Sequence, residues 1–291
     1  MPQSPPSRFA YASLTGHAAL LLLSGIAFAT FLAPPTPAFL STPGNQRIAA
    51  FMFSFGGQVA VVLGAIAGIL HAAGRLGVRT ALAIFTAGFV ISLSAELLGT
   101  TTGYPFGPYS YTTQLGYLIA GRVPFNIPTS WFFMMYATIA ICGAFLKASD
   151  DSASRWRWAA VAAFVLTAWD VSMDPAMVST THWLWHLPPE ATLSPFRRVF
   201  LTDVFYGMPI TNWLGWLLTG FLVARAMLAI VPPSTWAARV TPTRLPYVLY
   251  AVNGVFPVLV CVGRGLWWAA LFGAIAMAIP LLLSLRARPL A

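Results

Sequence analysis

The chain has 291 residues, 58% of them hydrophobic and only 8% charged, with a mean hydropathy of +0.75. A soluble domain carries about a quarter charged residues, so a water-facing surface cannot be built from this composition and the chain reads as an integral membrane protein. The net charge of +9 would suit a nucleic-acid partner, but the arginines stand singly between apolar runs, which marks topology and excludes a nucleic-acid patch. Cys142 and Cys261 both lie in apolar stretches, so no disulfide framework is implied.

In chain order, runs long enough to cross roughly 30 Å of hydrocarbon as helices fall near 17–33, 49–71, 80–99, 130–147, 156–174, 209–231, 245–262 and 266–285. The fold class is therefore an all-α integral membrane bundle of about eight transmembrane helices, one helical domain over 1–291. The first run, with Arg8 before it and Ala27-Phe28-Ala29 near its end, also resembles a signal peptide; continuation of the apolar run to Ala33 favours an uncleaved helix.

Orientation follows from the basic residues of the connections. With the N-terminus inside, Arg8, Arg75, Arg79, Lys147, Arg155, Arg157, Arg225, Arg239, Arg244, Arg286 and Arg288 are inside. That leaves Arg47, Arg122, Arg197, Arg198 and Arg264 of the sixteen Lys and Arg residues outside. Both termini are expected in the cytoplasm. Arg225, inside the sixth run near its inner end, can snorkel.

Two long connections, 100–129 and 175–208, then share the outer side. They hold Tyr104, Phe106, Tyr109, Tyr111 and Tyr117 in one, and Trp183, Trp185, Phe196, Phe200, Phe205 and Tyr206 in the other. Two readings stand side by side: an interfacial aromatic belt, or a folded cap over an apolar cavity. Gly99, Gly103, Gly107, Gly116 and Gly121 with Pro105, Pro108, Pro124 and Pro128 argue for defined turns.

Only seven carboxylates occur. Asp150, Asp151 and Glu190 lie in polar loops and read as solvated. Glu96 falls in the last turn of the third helix, Asp170 and Asp174 close the fifth, with Pro175 making Asp174 its last residue, and Asp203 precedes the sixth. Asp170 and Asp174, four apart, share a helix face. Ionisable groups at membrane depth are functional candidates, although these acids could also mark helix ends or pair with Arg122, Arg197 or Arg198; that plainer role suits Asp203. Clustered buried carboxyls share protons, which makes a general acid in an apolar cavity.

Other chemistries fit less well. A di-iron oxygenase needs a large His cluster, against four histidines here; His17 and His71 fall near inner helix ends. His182 and His186 have metal-compatible spacing if helical, with Asp174 as a third ligand, but no metal site is expected. Asp170–Asp174 matches one DxxxD motif of a prenyltransferase, which binds Mg²⁺ and diphosphate, without a second copy. No P-loop, nucleophile elbow or dinucleotide fingerprint occurs.

The stretch AELLGTTTGYPFGPYSYT, Ala95 to Thr112, followed in order by VPFNIPTSWFFMMY, AWDVSMDPAM, HWLWH and FYGMPITNWLGW, resembles the CruF-type carotenoid 1',2'-hydratases, a group of carotenoid biosynthesis membrane proteins. The resemblance covers roughly Gly88 to Gly220. It implies addition of water to the terminal double bond of an acyclic carotenoid end, of gamma-carotene or lycopene type, with no redox cofactor, in a bacterial inner membrane. Carotenoid would come from the lipid phase, in company with water and other carotenoid-pathway membrane enzymes. Joined to the carboxylate reading, one of Asp170, Asp174 and Glu96 would protonate C2'. The cation at C1' would lie against aromatic faces, from Tyr104, Phe106, Tyr109, Tyr111, Trp131, Trp183 or Tyr206. A second carboxylate, helped by Asn212 or Tyr206, would orient water. Trp131 and Asn212 could equally be an interfacial anchor and an interhelical hydrogen bond. A prenyltransferase and a non-catalytic carotenoid binder remain the alternatives.

The topology is directly testable: reporter fusions at Ala148 and Thr113 are expected to report opposite compartments. Same-side signals would remove the convergence of the acids on the outer face.

Overall fold

The computed structural model describes residues 8–32 and 37–287; Ala33 and Arg288 lie outside them. Among the described residues eight helices are long and apolar enough to cross a membrane: α1 (Arg8–Thr30), α2 (Pro43–Leu76), α3 (Val78–Thr102), α4 (Asn126–Phe145), α5 (Ser152–Ser179), α6 (Ile210–Ile230), α7 (Arg244–Gly263) and α8 (Trp267–Ala287). The chain is a multi-pass all-α membrane protein. Its eight spans are those expected from the apolar runs, with ends that shift in either direction.

Helix α4 is the axis of the bundle. It is apolar on every side, through Phe132, Phe133, Met134, Met135 and Tyr136, and a helix of that kind must be surrounded. It packs against α2, α3, α5, α6, α7 and α8, while α1 leans on α2 and α7. Glycine-bearing faces permit close approach: Gly88 of α3 sits on Phe132, and Gly220 of α6 on Ala163 and Leu166 of α5. In α2 the helix widens to a single π-turn at Met52–Gly56.

Several expected boundaries shift, each for a local reason. Helix α3 runs to Thr102 and ends at Gly103, whose φ of 82° and N–H bond to the Gly99 carbonyl make a left-handed C-terminal stop. Glu96 is therefore nearly two turns inside the helix instead of in its last turn. Helix α5 begins on Asp151, whose carboxylate accepts from the Ser154 N–H at 2.7 Å. It passes through Pro175 to Ser179, so Asp174 is not its last residue. The proline ring removes the donor that the Val171 carbonyl would use; neighbouring helices in a membrane bundle can support the backbone around such a break, and at the next residue Cys261 Sγ of α7 donates to the Ser172 carbonyl at 3.3 Å. Because α1 starts at Arg8, His17 is mid-helix, donating to the Ala60 carbonyl and facing Asn253 at 2.9 Å.

The two long connections fold into a common cap. Strand β1 (Tyr109–Tyr111) of the first pairs antiparallel with a strand of the second, Trp183–Trp185, in the register Tyr109↔Trp185 and Tyr111↔Trp183. Within the first connection β2 (Leu118–Ile119) pairs with β3 (Val123–Pro124); taking Trp183–Trp185 as β4, β5 (Asp203–Phe205) pairs with β6 (Met208–Pro209) in the second. Tight turns at Gly116, Gly121 and Gly207 have positive φ, as glycine allows. Asp203 belongs to the last of these hairpins, is exposed, and accepts from the Gly207 N–H at 2.8 Å. It serves a turn, away from the other acids. Away from the cap, Arg225 lies over the Trp156 ring at 5.3 Å.

The cap is keyed to α6 through Gly215, where an added Cβ would lie 3.0 Å from the Phe106 Cα. Overpacking of this kind costs about 1–3 kcal/mol. Gly215→Val is expected to lower the thermal midpoint of the detergent-solubilised protein by several degrees, read by tryptophan fluorescence. Gly44→Ala, with nothing within 4 Å of the new methyl, should leave it unchanged; equal midpoints for both variants would contradict this packing.

Candidate functional site

Beneath the cap lies a cavity with about 1320 Å³ of non-atom space, part of it open to the outside, walled by α1 to α7 and the β1–β4 pair. Its wall is largely apolar and aromatic, and two carboxyl groups, Glu96 and Asp174, reach it.

Strand geometry decides what holds them. Alternate residues of a strand face the same side, so Tyr109 with Tyr111 and Trp183 with Trp185 present four rings to the bundle, while Ser110 and Leu184 face away. Tyr109 and Tyr111 both donate from their hydroxyls to Glu96 Oε2, Tyr111 at 2.8 Å, and Trp131 Nε1 of α4 donates to Oε1 at 3.1 Å. Trp183 Nε1 donates to Asp174 Oδ1 at 2.6 Å and Trp185 Nε1 to Oδ2 at 3.0 Å. Gly99, one turn beyond Glu96, leaves the room that Phe106 and the Tyr109 ring fill. Burial, then the neighbouring Glu96 carboxylate, pushes the Tyr109 and Tyr111 phenols well above their ordinary range, so both stay protonated donors. Among the described residues the hydrogen-bond partners of these two carboxyls are all neutral aromatic side chains.

Asp170 is placed differently from Asp174. It is fully buried, one turn farther from the cap, and is absent from the cavity wall. Its Oδ2 accepts from Asn212 Nδ2 of α6 at 2.7 Å, and its Oδ1 is buried with no hydrogen-bond partner among the described residues. Asn212 does line the cavity. The two aspartates of the DxxxD stretch therefore do not face the cavity together.

Of the other expected residues, Phe106, Tyr109, Tyr111, Trp131, Trp183 and Asn212 line the cavity. Tyr104 and Tyr206 do not. Tyr104 is 75% exposed, because the turn at Gly103 carries it outward. Tyr206, itself at positive φ in the β5–β6 turn, points to α8, where its hydroxyl accepts from the Trp268 N–H at 3.3 Å. His182 and His186 flank a strand instead of sharing a helix turn, and make no joint site: His182 Nδ1 meets Thr180 Oγ1 and His186 Nε2 meets Ser110 Oγ, each at 2.7 Å. Burial holds His182 down at about 4. Among the described residues no three His, Cys, Asp or Glu side chains are grouped closely enough to hold a metal ion.

Trp169, Trp185 and Trp216 also wall the cavity. Trp216 stacks on Trp131 with centroids 4.5 Å apart, and Trp169 meets Trp216 edge-on at 5.9 Å. Trp185 had a signal in the strand period of Trp-Leu-Trp, and Trp216 lies one turn from Asn212; Trp169 had none beyond its neighbour Asp170.

Comparison with known proteins bears on this geometry. Bisanhydrobacterioruberin hydratase of Haloarcula japonica is 30% identical over 129 residues, 44% of this chain and 38% of that protein; the matched region thus spans well under half of the relative's length. No solved structure matches. A family model described as carotenoid biosynthesis protein matches residues 56–280, which takes in α3 to α7 and both cap connections, and with them every carboxyl and aromatic side chain that meets at Glu96 and Asp174: the chain belongs to the carotenoid biosynthesis protein family.

Proposed function

We propose that this chain is a carotenoid 1',2'-hydratase, which adds water across the terminal double bond of an acyclic carotenoid end of gamma-carotene or lycopene type. The observation that carries the reading is the pair of carboxyls, Glu96 and Asp174, on the wall of a largely apolar, aromatic cavity. A site that only bound a polyene would gain nothing from carboxyls that are costly to bury. The hydratase named among the relatives agrees with the reaction class.

In this reading one of the two carboxyls gives its proton to C2'. The π electrons form the new C–H bond and leave a tertiary cation at C1', facing the stacked Trp131 and Trp216 rings and the Tyr109–Trp185 pair, whose centroids are 5.3 Å apart. Water attacks C1' and passes its surplus proton to the second carboxylate. H and OH have then been added and no electrons exchanged. Asn212, tethered by Asp170, turns its amide toward the cavity and orients the water. Asp170 is thus a positioning residue, and the acid–base work falls to Glu96 and Asp174.

Expression in a lycopene-producing bacterium with pigment mass analysis tests the activity; a gain of one water per modified end is expected, and unchanged pigment would favour a binding protein. Asp174→Asn and Glu96→Gln should each lower hydroxylated carotenoid per inserted protein by about 10²- to 10⁴-fold. Asp170→Asn keeps an oxygen that can accept from Asn212 and should lose less. Glu190→Gln and Asp151→Asn, far from the cavity, should be nearly silent. Near-normal turnover in both Asp174→Asn and Glu96→Gln would end the carboxylate mechanism.

A further inference from the structure

A carotenoid end at Glu96 and Asp174 leaves a long apolar chain to be housed, and the cap side is roofed by the β1–β4 pair. We propose that the cavity opens sideways into the hydrocarbon at the π-turn of α2, facing α1, and that the rest of the polyene passes out through this mouth. The inference rests on the hydratase reading for its substrate and adds the substrate's path.

Met52 begins the π-turn and Gly57 follows it, and both line the cavity and are exposed. Met52 is 40% exposed. A Cβ added at Gly57 would have nothing within 4 Å, so a cavity-lining position looks onto open space. The exposed neighbours on the same helix, Phe51, Phe55 and Val59, are all apolar, which identifies what the mouth faces as lipid. The Gln58 amide packs beneath Gly116 of the cap, so the roof ends directly above the mouth. Across the gap α1 contributes Ser24 and Phe28 to the wall. A π-turn widens a helix by one residue and recurs at functional sites; here it opens the wall of α2 at membrane depth. Such a mouth admits an extended, methyl-bearing conjugated chain and needs no polar group on it. It also means that one end is treated per binding event, the other remaining in the bilayer.

The test uses the full-length protein in phosphatidylcholine vesicles with lycopene as probe. Two readouts are taken: quenching of the cavity tryptophans by lycopene, which needs no chemistry, and formation of hydroxylated product. Gly57→Leu adds bulk at the mouth from a position whose Cβ meets nothing within 4 Å, and Met52→Trp is a second plug. Val59→Leu, on the lipid face but off the cavity wall, is the control. The expected result is that either plug slows quenching and hydration together by about an order of magnitude or more, with Val59→Leu at the wild-type level. Wild-type quenching rates in both plugged variants, or an equal loss in Val59→Leu, would overturn the mouth. Wild-type quenching without hydration would instead overturn the hydratase reading, while the plugged variants would still report on the path.

Discussion

A carboxyl group inside a membrane bundle must find its hydrogen bonds within the protein, because hydrocarbon supplies none. Glu96 and Asp174 find theirs almost entirely in the cap: Tyr109, Tyr111, Trp183 and Trp185 supply four of the five hydrogen bonds that the two acids accept, and Trp131 of α4 supplies the fifth. Two connections distant in sequence are thereby joined as one antiparallel pair, and that pair is fastened to α3 and α5 through the acids. The period of two that points four rings downward is the device on which both cap and site depend. The same bonds enclose a largely apolar cavity around Glu96 and Asp174, the two carboxyls on its wall among the described residues.

Donor chemistry distinguishes the two acids. A tryptophan N–H can only donate, whereas a tyrosine hydroxyl can donate and accept. Asp174 is held by two tryptophans, which fix its oxygens without offering a route for a proton. Glu96 has two tyrosine hydroxyls on one oxygen, through which a proton can be exchanged with the cap. The ring geometry adds a wall of polarisable faces around both, Tyr109 against Trp185 on the cap side and Trp131 against Trp216 on the bundle side.

Much of the architecture was legible in the sequence, for a physical reason: an apolar run long enough to cross a bilayer can hardly be anything but a helix, so the eight spans stand out. Their ends were less legible. Gly103 as a stop for α3 and the passage of α5 through Pro175 depend on partners from other segments, such as Cys261. The acids were visible as rare charges in apolar surroundings. Their roles were not, because Asp170 and Asp174 share a face yet differ in depth by one turn, about 5.4 Å, enough to put one on the cavity wall and the other behind Asn212. Aromatic residues in a loop carry no sign of which way they face unless a strand period orders them. Tyr-Ser-Tyr and Trp-Leu-Trp had that period, and their rings are in the site. Tyr104 and Tyr206 lacked it and point elsewhere.

The central claim is that a proton is added first and water second. It is tested most directly by running the reaction on lycopene in deuterated, heavy-oxygen water under strict anaerobiosis with a metal chelator present. The account predicts product with one non-exchanging deuterium at C2' and the heavy oxygen on C1'. A hydroxyl oxygen drawn from O₂, or product lacking deuterium at C2', would contradict it.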